Sequence, residues 1–180
     1  MTWNIDPAHS LIGFSVRHMM IAKVRGRFNS FTGTVNLNAD NPGVEGTVDV
    51  TSIDTRENDR DEHLRSADFF DAANFPQMRF RSTRIESAGD GKFNVTGDLT
   101  IKDVTRPVTF AVTDEGQGKD PWGGLRQGYS ATAKINRKDF GLTWNVALET
   151  GGWLVGDEIT INAEVELVQT QPQPEAAAMA

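Results

Sequence analysis

Three residues near the start of the chain are of the types that form a nucleophilic catalytic triad: Asp6, His9 and Ser10. In such a triad a carboxylate orients the imidazole, which takes the proton of the serine hydroxyl. His9 and Ser10 are adjacent, however, and adjacent side chains on an extended strand point to opposite faces. The spacing favours a hydrogen-bonded polar start of a strand. We therefore predict that the protein has no catalytic residues and is not an enzyme.

The histidines are the next candidates for chemistry, because imidazole is a common metal ligand. His9, His18 and His63 lack the local spacing of a metal site, and the chain has no cysteine. We predict no metal site and no catalytic cofactor. His18 continues the apolar face of a predicted strand two residues beyond Val16, so it is expected to point inward. There it is either a hydrogen-bonded buried histidine or a contact to the polar head of a ligand.

Basic residues cluster in two segments, 17–27 and 56–65. An anionic head group at the mouth of a binding site needs such cations, yet arginines that alternate with apolar positions are also typical of a solvated strand face. The candidate contacts to a polar head group are His18, Arg25, Arg60, His63 and Arg65.

The chain is acidic overall, with a formal net charge of −7 and a pI near 4.9. Because this field repels polyanions, we expect no nucleic-acid partner. No apolar run approaches the ~20 residues that cross a bilayer, so we expect no transmembrane segment. The first residues lack the basic and apolar regions of a signal peptide. This predicts a cytoplasmic protein, or a periplasmic one if the true N-terminus lies upstream.

The elements that must position these residues are strands, since apolar and polar residues alternate with period two in eight segments. Strands with one buried face must either stack as a sandwich or close on themselves, and closure leaves no unpaired edge. We predict an all-β fold, an eight-stranded antiparallel barrel, with a Greek-key sandwich as the alternative. The segments are 12–18, 28–37, 44–50, 78–81, 93–101, 108–112, 129–135 and 159–167.

One stretch departs from the strand pattern. Asp59 and Glu62 resemble a capping box, and Leu64 and Ala67 share a helical face. We predict a short helix over 59–67, in the connection between the third and fourth strands. The barrel domain is expected to span residues 1–168, and the tail 169–180 has no pattern and is expected to be disordered.

The aromatic residues are unbalanced, with ten Phe and four Trp against one Tyr, and many occupy inward positions. Small residues at other inward positions leave space: Gly26, Gly46, Gly97, Ala131, Ala133 and Ala163. We predict an apolar cavity, while a barrel filled by its own side chains stays an alternative. The predicted lining residues are Phe14, Val16, Phe28, Val48, Val50, Phe69, Phe70, Met78, Phe80, Phe93, Val95, Leu99, Phe110, Tyr129, Ile135, Phe140, Ile161 and Val165.

Several ordered motifs lie along the chain. The opening block is Trp3-x-Ile5-Asp6-x-x-His9-Ser10. A second block is Arg60-Asp61-x-His63-Leu64-Arg65-Ser66-x-Asp68-Phe69-Phe70-Asp71, and a third is Asn136-Arg137-x-Asp139-Phe140-Gly141. These blocks resemble those of the YceI-like family, and the likeness spans about residues 2–168.

The resemblance implies a lipocalin-like barrel that binds a polyisoprenoid or a similar long-chain amphiphile, often as a homodimer, without catalytic residues. The expected function is therefore non-enzymatic binding, storage or transport of a long-chain isoprenoid lipid, either a polyprenyl phosphate or an isoprenoid quinone. Burial of the chain, at ~25 cal/mol per Å², would dominate the affinity, and the head group would set the orientation. Two alternatives stay open. One is an enzyme that uses His18 or His9 on a bound lipid, and the other is a filled barrel that acts as a stress-related interaction module.

Overall fold

Eleven strands and one helix make up the regular structure in a computed structural model that describes residues 2–170. Six short strands come first: β1 (Thr2–Ile5), β2 (Leu11–His18), β3 (Ala22–Phe28), β4 (Phe31–Asn36), β5 (Gly43–Asp49) and β6 (Ile53–Asp54). The helix α1 (Asn58–Arg65) follows. Five longer strands complete the fold: β7 (Gln77–Gly89), β8 (Lys92–Ile101), β9 (Val104–Lys119), β10 (Leu125–Asn136) and β11 (Val155–Gln169).

The sheet closes on itself. Eight strands form an antiparallel ring in the order β1-β4-β5-β7-β8-β9-β10-β11, and β1 pairs with β11 to close it, with Trp3 opposite Gln169. Further back along β11, Val155 to Glu164 pair with β2, which begins a branch of three extra strands, β2-β3-β6. The predicted all-β, eight-stranded antiparallel barrel is confirmed, and the sandwich alternative is wrong.

The difference between eight predicted and eleven observed strands lies near the N-terminus, where β1 and β6 fall outside the predicted segments and one predicted segment is divided. A 3-10 turn at Pro7–His9 separates β1 from β2, and a second at Val50–Ser52 separates β5 from β6. Pro7 has no N–H to give to a ladder, and the Asp6 carboxylate instead accepts a hydrogen bond from the Ala8 N–H at 3.0 Å. The predicted second strand, 28–37, is likewise two strands, β3 and β4, with a break at residues 29–30.

The helix lies between β6 and β7 in the chain and is close to the predicted range. Its N-cap is Glu57, so Asp59 lies inside the first turn and the predicted capping box is wrong. The start is held instead by Asp61, a buried carboxylate that accepts hydrogen bonds from the Thr55 N–H at 2.9 Å and the Thr55 hydroxyl at 2.6 Å. Among the helices of the described chain, none is long and apolar enough to cross a membrane.

Two groups of buried side chains stabilise the barrel. The larger packs under α1 and includes Val50, Ile53 and Phe140. The smaller consists of Trp3, Val35 and Leu167, where β1 meets β4 and β11. The smaller cluster therefore lies at the closure itself.

The predicted tail begins two residues inside the described chain. Gln169 pairs with Trp3 in the sheet, and the Thr170 N–H donates to the Thr2 carbonyl at 3.2 Å. The rest of the predicted disordered segment, 171–180, lies outside the described residues.

Leu167→Ala tests the closure. Because Leu167 is fully buried between β1 and β10, the truncation should lower the free energy of unfolding by about 2–5 kcal/mol. Leu11→Ala, at an exposed leucine on β2, is the matched control and should change it by about 0.5 kcal/mol. Urea unfolding followed by circular dichroism measures both. Equal effects of the two changes would show that the small cluster does not hold the barrel closed.

Candidate functional site

A cavity of about 650 Å³ occupies the interior of the barrel. Alternation along the strands builds its wall, because every second side chain of a closed sheet points inward. On β10 the inward positions are Tyr129, Ala131 and Ile135, and on β11 they include Ile161 and Val165. The wall is almost entirely carbon, so the site can remove an apolar chain from water.

Every predicted lining residue except Val50 lies along the wall of this cavity. Val50 starts the 3-10 turn after β5 and packs in the larger core cluster, so its placement on the wall is wrong. The structure also brings Phe69 and Phe70, which follow α1, into the same wall as Phe28 on β3. Phe28 and Phe70 are in edge-to-face contact, with ring centroids 6.0 Å apart. Direct contact of these residues with a ligand stays a prediction.

Sequence reasoning missed a second set of wall residues. Some of these residues lie in strands that alternate as clearly as those of the predicted wall residues, so this pattern could identify them. Others belong to β1 and to loops, where the segments are too short to show alternation. The missed apolar residues include Ile5, Ile12, Phe31, Val35, Leu37, Ala39, Pro42, Val44, Ile85, Ile101, Leu142, Val155 and Ile159.

The small inward residues divide into two groups. Gly46, Ala131 and Ala163 line the cavity and leave it open. At Gly26 and Gly97 the space is already taken, because a Cβ there would collide with the rings of Phe14 and Phe80. These two glycines, and the buried Ala133, do not border the cavity, so the prediction that they create space is wrong.

Exposed wall residues occur on β4, β5 and β7, at Thr32, Glu45 and Arg79, and in or beside two loops at one end of the barrel. Leu37, Ala39 and Pro42 in the β4–β5 loop, with Ser87 near the β7–β8 turn, are exposed and border the cavity. We call these four residues the opening. The helix side is covered by buried residues such as Phe69 and Phe140.

None of the five predicted head-group contacts borders the cavity. Arg60 donates to the hydroxyl and the carbonyl of Thr55, each at 2.8 Å. Arg65 donates to the carbonyls of Thr51 and Ile53 at 3.0 and 3.2 Å. Both arginines therefore satisfy backbone groups where strand pairing stops, away from the cavity.

The other three candidates are also placed elsewhere. Arg25 is exposed on the outer face of β3, and His18 ends β2 opposite Ala22 and Val155. His63 contacts Asp68 through Nε2 at 2.9 Å and packs its ring against Phe69 and Trp144. His18 therefore lies off the cavity wall, and its contact with a ligand is not supported by its position.

Arg137 is the buried cation of the wall, and its donors are engaged. Burial lowers the pKa of Arg137, and Asp157, 3.6 Å away, opposes this effect. The cation is stabilised by four carbonyls, because its guanidinium donates to those of Leu142, Trp144, Val155 and Gly156 at 2.6, 2.9, 3.4 and 2.8 Å. It therefore holds the irregular segment 141–154 and the start of β11 against the Arg137–Phe140 turn.

Tyr129 is a polar side chain on the inward face of the wall. It lies on the inward face of β10 and packs beside Trp3, Val35 and Leu167. Within residues 2–170 its hydroxyl makes no hydrogen bond. Burial, and then the charge of Asp114, raises the pKa of Tyr129, so the group stays a neutral phenol. A phenol of this kind can donate to, or accept from, an oxygen of a bound molecule.

The triad-like residues form a hydrogen-bonded surface network. His9 Nδ1 lies 2.8 Å from an Asp6 carboxylate oxygen, whereas the Ser10 hydroxyl accepts from the Glu166 N–H at 2.9 Å. The ligand atoms of Asp6, His9 and Glu166 lie within 4.8 Å of one another, but Arg126 donates to both carboxylates, at 2.7 and 2.9 Å. The cation that balances these acids is thus an arginine of the chain.

The fold and the site define a class of protein: a closed antiparallel β-barrel with an apolar internal cavity. A family model described as the YceI-like domain matches residues 3–167, and the chain belongs to that family. Protein YceI of Escherichia coli O6:H1 (strain CFT073) is 40% identical over 164 residues, which cover 89% of this chain and 82% of that protein.

Two solved structures are similar. BcnA of Burkholderia cenocepacia has a TM-score of 0.76 and 29% identity, over 92% of this chain and 99% of that one. A domain from Saccharophagus degradans, described as polyisoprenoid-binding and implicated in plant cell wall breakdown, has a TM-score of 0.72, over 93% of this chain and 98% of that one. At 12% identity, this second likeness shows the fold alone.

The Asp6–His9 pair predicts a pH window of stability. The hydrogen bond from His9 lowers the pKa of Asp6 from 3.8, and the same bond raises the pKa of His9 from 6.5. The stability from Asp6 is present above 3.8 and lost as the pH falls through its lowered pKa. That from His9 is present below 6.5 and lost as the pH rises through its raised pKa.

NMR titration of His9 checks this pair. Asp6→Asn should return the His9 pKa toward its ordinary value while leaving the resonances of His18 in place. A His9 pKa that is the same in the wild type and in Asp6→Asn would mean that the pair is absent in solution.

Proposed function

We propose that this protein binds a long-chain isoprenoid lipid inside its barrel and stores or carries it without changing it chemically. The observation that carries the proposal is the apolar cavity, whose volume of about 650 Å³ lies within the ~300–1,000 Å³ of typical ligand pockets. Each buried methylene of such a chain contributes about 0.8 kcal/mol. A wall of carbon therefore supplies affinity for a long chain without specific polar contacts.

The identity of the chain as an isoprenoid draws on the family. The motifs resemble a family that binds polyisoprenoids, and the Saccharophagus degradans domain of the same fold is described as binding one. The wall contains both aromatic rings and aliphatic side chains, and two of the rings, Phe80 and Phe110, are in edge-to-face contact with centroids 5.2 Å apart. Branched isoprene units suit such a wall, since their methyl groups can pack between the rings.

The polar end of the ligand is proposed to be a neutral oxygen held by Tyr129. Arg137 has its donors engaged by carbonyls, and Arg79 alternates with the inward Met78 and Phe80 and is exposed. A phosphate inside the cavity would therefore lack a cation and pay a large desolvation cost. A quinone or alcohol oxygen needs one hydrogen bond, which Tyr129 can provide. This favours an isoprenoid quinone or alcohol over a polyprenyl phosphate.

The alternatives have less support. An enzyme that uses His18 or His9 needs that imidazole beside the ligand, and both lie off the cavity wall. A barrel filled by its own side chains conflicts with the open space beside Gly46, Ala131 and Ala163. A homodimer, which the resemblance implies, stays a prediction.

Gly46→Phe should block the cavity. A Cβ at Gly46 meets little except the Thr32 carbonyl at 3.6 Å, so the barrel tolerates the side chain, which then fills the space that a ligand needs. The matched control is Gly118→Phe, at an exposed strand position with no atom near its Cβ. Mass spectrometry of organic extracts from natively purified protein should find near-stoichiometric isoprenoid in the wild type and control, and at least about tenfold less in Gly46→Phe.

The circular dichroism spectrum of Gly46→Phe should match that of the wild type, which would show that the variant is folded and that any loss of lipid is due to the blocked cavity. Lipid that remains at wild-type levels in the folded variant would place the binding site elsewhere. A wild type that is empty and also fails to bind added prenyl lipids would remove the proposal.

Tyr129→Phe should weaken binding of an isoprenoid quinone or alcohol by about two- to tenfold, the worth of one hydrogen bond. Binding of squalene, an isoprenoid without oxygen, should stay unchanged, which makes it the matched control ligand. Competition with a fluorescent fatty acid measures both affinities. Equal weakening of both ligands would show that Tyr129 acts through packing. Tighter binding of a polyprenyl phosphate than of the corresponding alcohol would contradict a neutral polar end.

A further inference from the structure

An exposed apolar surface lies at the turn between β2 and β3. Met19, Met20 and Ile21 form the turn, and the Ile21 side chain is 79% exposed. Val146 and Trp153, from the segment between the Arg137–Phe140 turn and β11, are also exposed. The two segments are joined, since the Met19 N–H donates to the Leu154 carbonyl at 2.8 Å and the Met20 sulfur packs against Gly152. We call Met19, Met20, Ile21, Val146 and Trp153 the apolar tip.

The backbone of the turn holds these side chains at a cost. Met19 and Met20 have φ values of 51° and 62°, in the left-handed region that favours glycine or asparagine. A turn whose only task was to connect two strands would carry those residues instead. Consecutive methionines followed by a largely exposed isoleucine therefore indicate a surface that contacts something apolar.

A basic surface adjoins the apolar tip. Arg17 on β2 and Lys23 on β3 are directly opposite each other and are exposed, and Arg25 follows on the same outer face. Within the described chain, none of the three forms an ion pair. Only one carboxylate, Glu149, occurs in segments 19–21 and 141–154. Asp157 and Glu158 follow Gly156, which packs against Arg17, but these two carboxylates pair with Arg137, Lys138 and Lys134.

We propose that the apolar tip docks on the surface of an anionic lipid bilayer. Met, Ile and Trp side chains are suited to the boundary between head groups and acyl chains, and adjoining cations are attracted to anionic lipids. Arg17, Lys23 and Arg25 would then face the lipid phosphates. The charge pattern argues against a second copy as the occupant, because a symmetric contact would bring the same unpaired cations toward one another.

The apolar tip is separated from the opening of the cavity by the combined length of β3 and β4, which run from Ala22 to Asn36. Docking at the tip therefore leaves the opening uncovered. The docking inference is independent of what the cavity binds. Gly46→Phe, which blocks the cavity, is expected to dock as well as the wild type, so failure of docking and failure of lipid binding are distinguishable.

The test is co-sedimentation of the full chain with vesicles. The protein should bind vesicles made of equal amounts of phosphatidylcholine and phosphatidylglycerol and should bind pure phosphatidylcholine vesicles at least about tenfold more weakly. Replacing Arg17, Lys23 and Arg25 with Gln should weaken binding by about fivefold per cation and reduce its dependence on salt.

Two tryptophans supply a matched pair of variants. Trp153→Ser, in the apolar tip, should weaken vesicle binding about tenfold, whereas Trp122→Ser, in the β9–β10 loop, should leave it unchanged although Trp122 is 88% exposed. In a Trp122→Phe background, anionic vesicles should also shift the tryptophan emission to shorter wavelength, and adding Trp153→Phe should abolish the shift, because Trp3 and Trp144 lie outside the apolar tip.

Three results would overturn the proposal. The first is failure of the wild type to bind anionic vesicles. The second is an equal effect of the Trp153 and Trp122 changes. The third is sedimentation equilibrium in which Ile21→Asp dissociates a dimer of a wild type that binds no vesicles, because the apolar tip would then be an interface between two copies.

Discussion

Closure of the sheet along β11 is the constraint on which the cavity depends. One edge of this strand pairs with β10 over residues 158–168, and the other edge pairs first with β2 and then with β1. Because both edges are occupied, inward alternation on β11 and its neighbours faces an enclosed space rather than solvent. The Trp3, Val35 and Leu167 cluster lies at this closure, so the packing that closes the barrel also shapes one end of its interior.

The amount of open space depends on where the phenylalanine rings lie. Phe14 lies over Gly26 and Phe80 over Gly97, so a large and a small residue fill the same volume together. Gly46 faces no such ring, and Ala131 and Ala163 are directly opposite each other on β10 and β11. The cavity therefore exists where small residues lack a ring that covers them. Counting small inward residues overestimates its size, because a glycine on one strand can accommodate a ring from the next.

Alternation was enough to predict the barrel, and all but one of the residues predicted to line the cavity do so. The reason is that a period of two can be recognised within each short segment of sequence. Val50 shows the limit: its alternation continues from β5, but a 3-10 turn begins there and rotates it into the core. Strand breaks at Pro7 and at residues 29–30 depend on tertiary pairing that short segments do not reveal. Tyr129 could be placed on the inner face from sequence. That its hydroxyl makes no hydrogen bond could not be predicted, since this depends on whether any other element of the described structure places a partner beside it.

The arginines of this chain have two different roles. Some, including two that were predicted to bind a head group, hold the fold together, whereas others on the outer surface are free to contact a partner. Arg60, Arg65 and Arg137 donate to carbonyls in segments where the β-ladder stops, at Thr55, at Thr51 and Ile53, and at 142–156. A buried carbonyl without a partner costs about 1–3 kcal/mol, so these cations are structural. Arg17 and Arg25 lie instead on regular strands, where the ladder already satisfies the backbone, and their charge is available to a partner. The regularity of the local backbone thus distinguishes the arginines that hold this fold together from those that can bind.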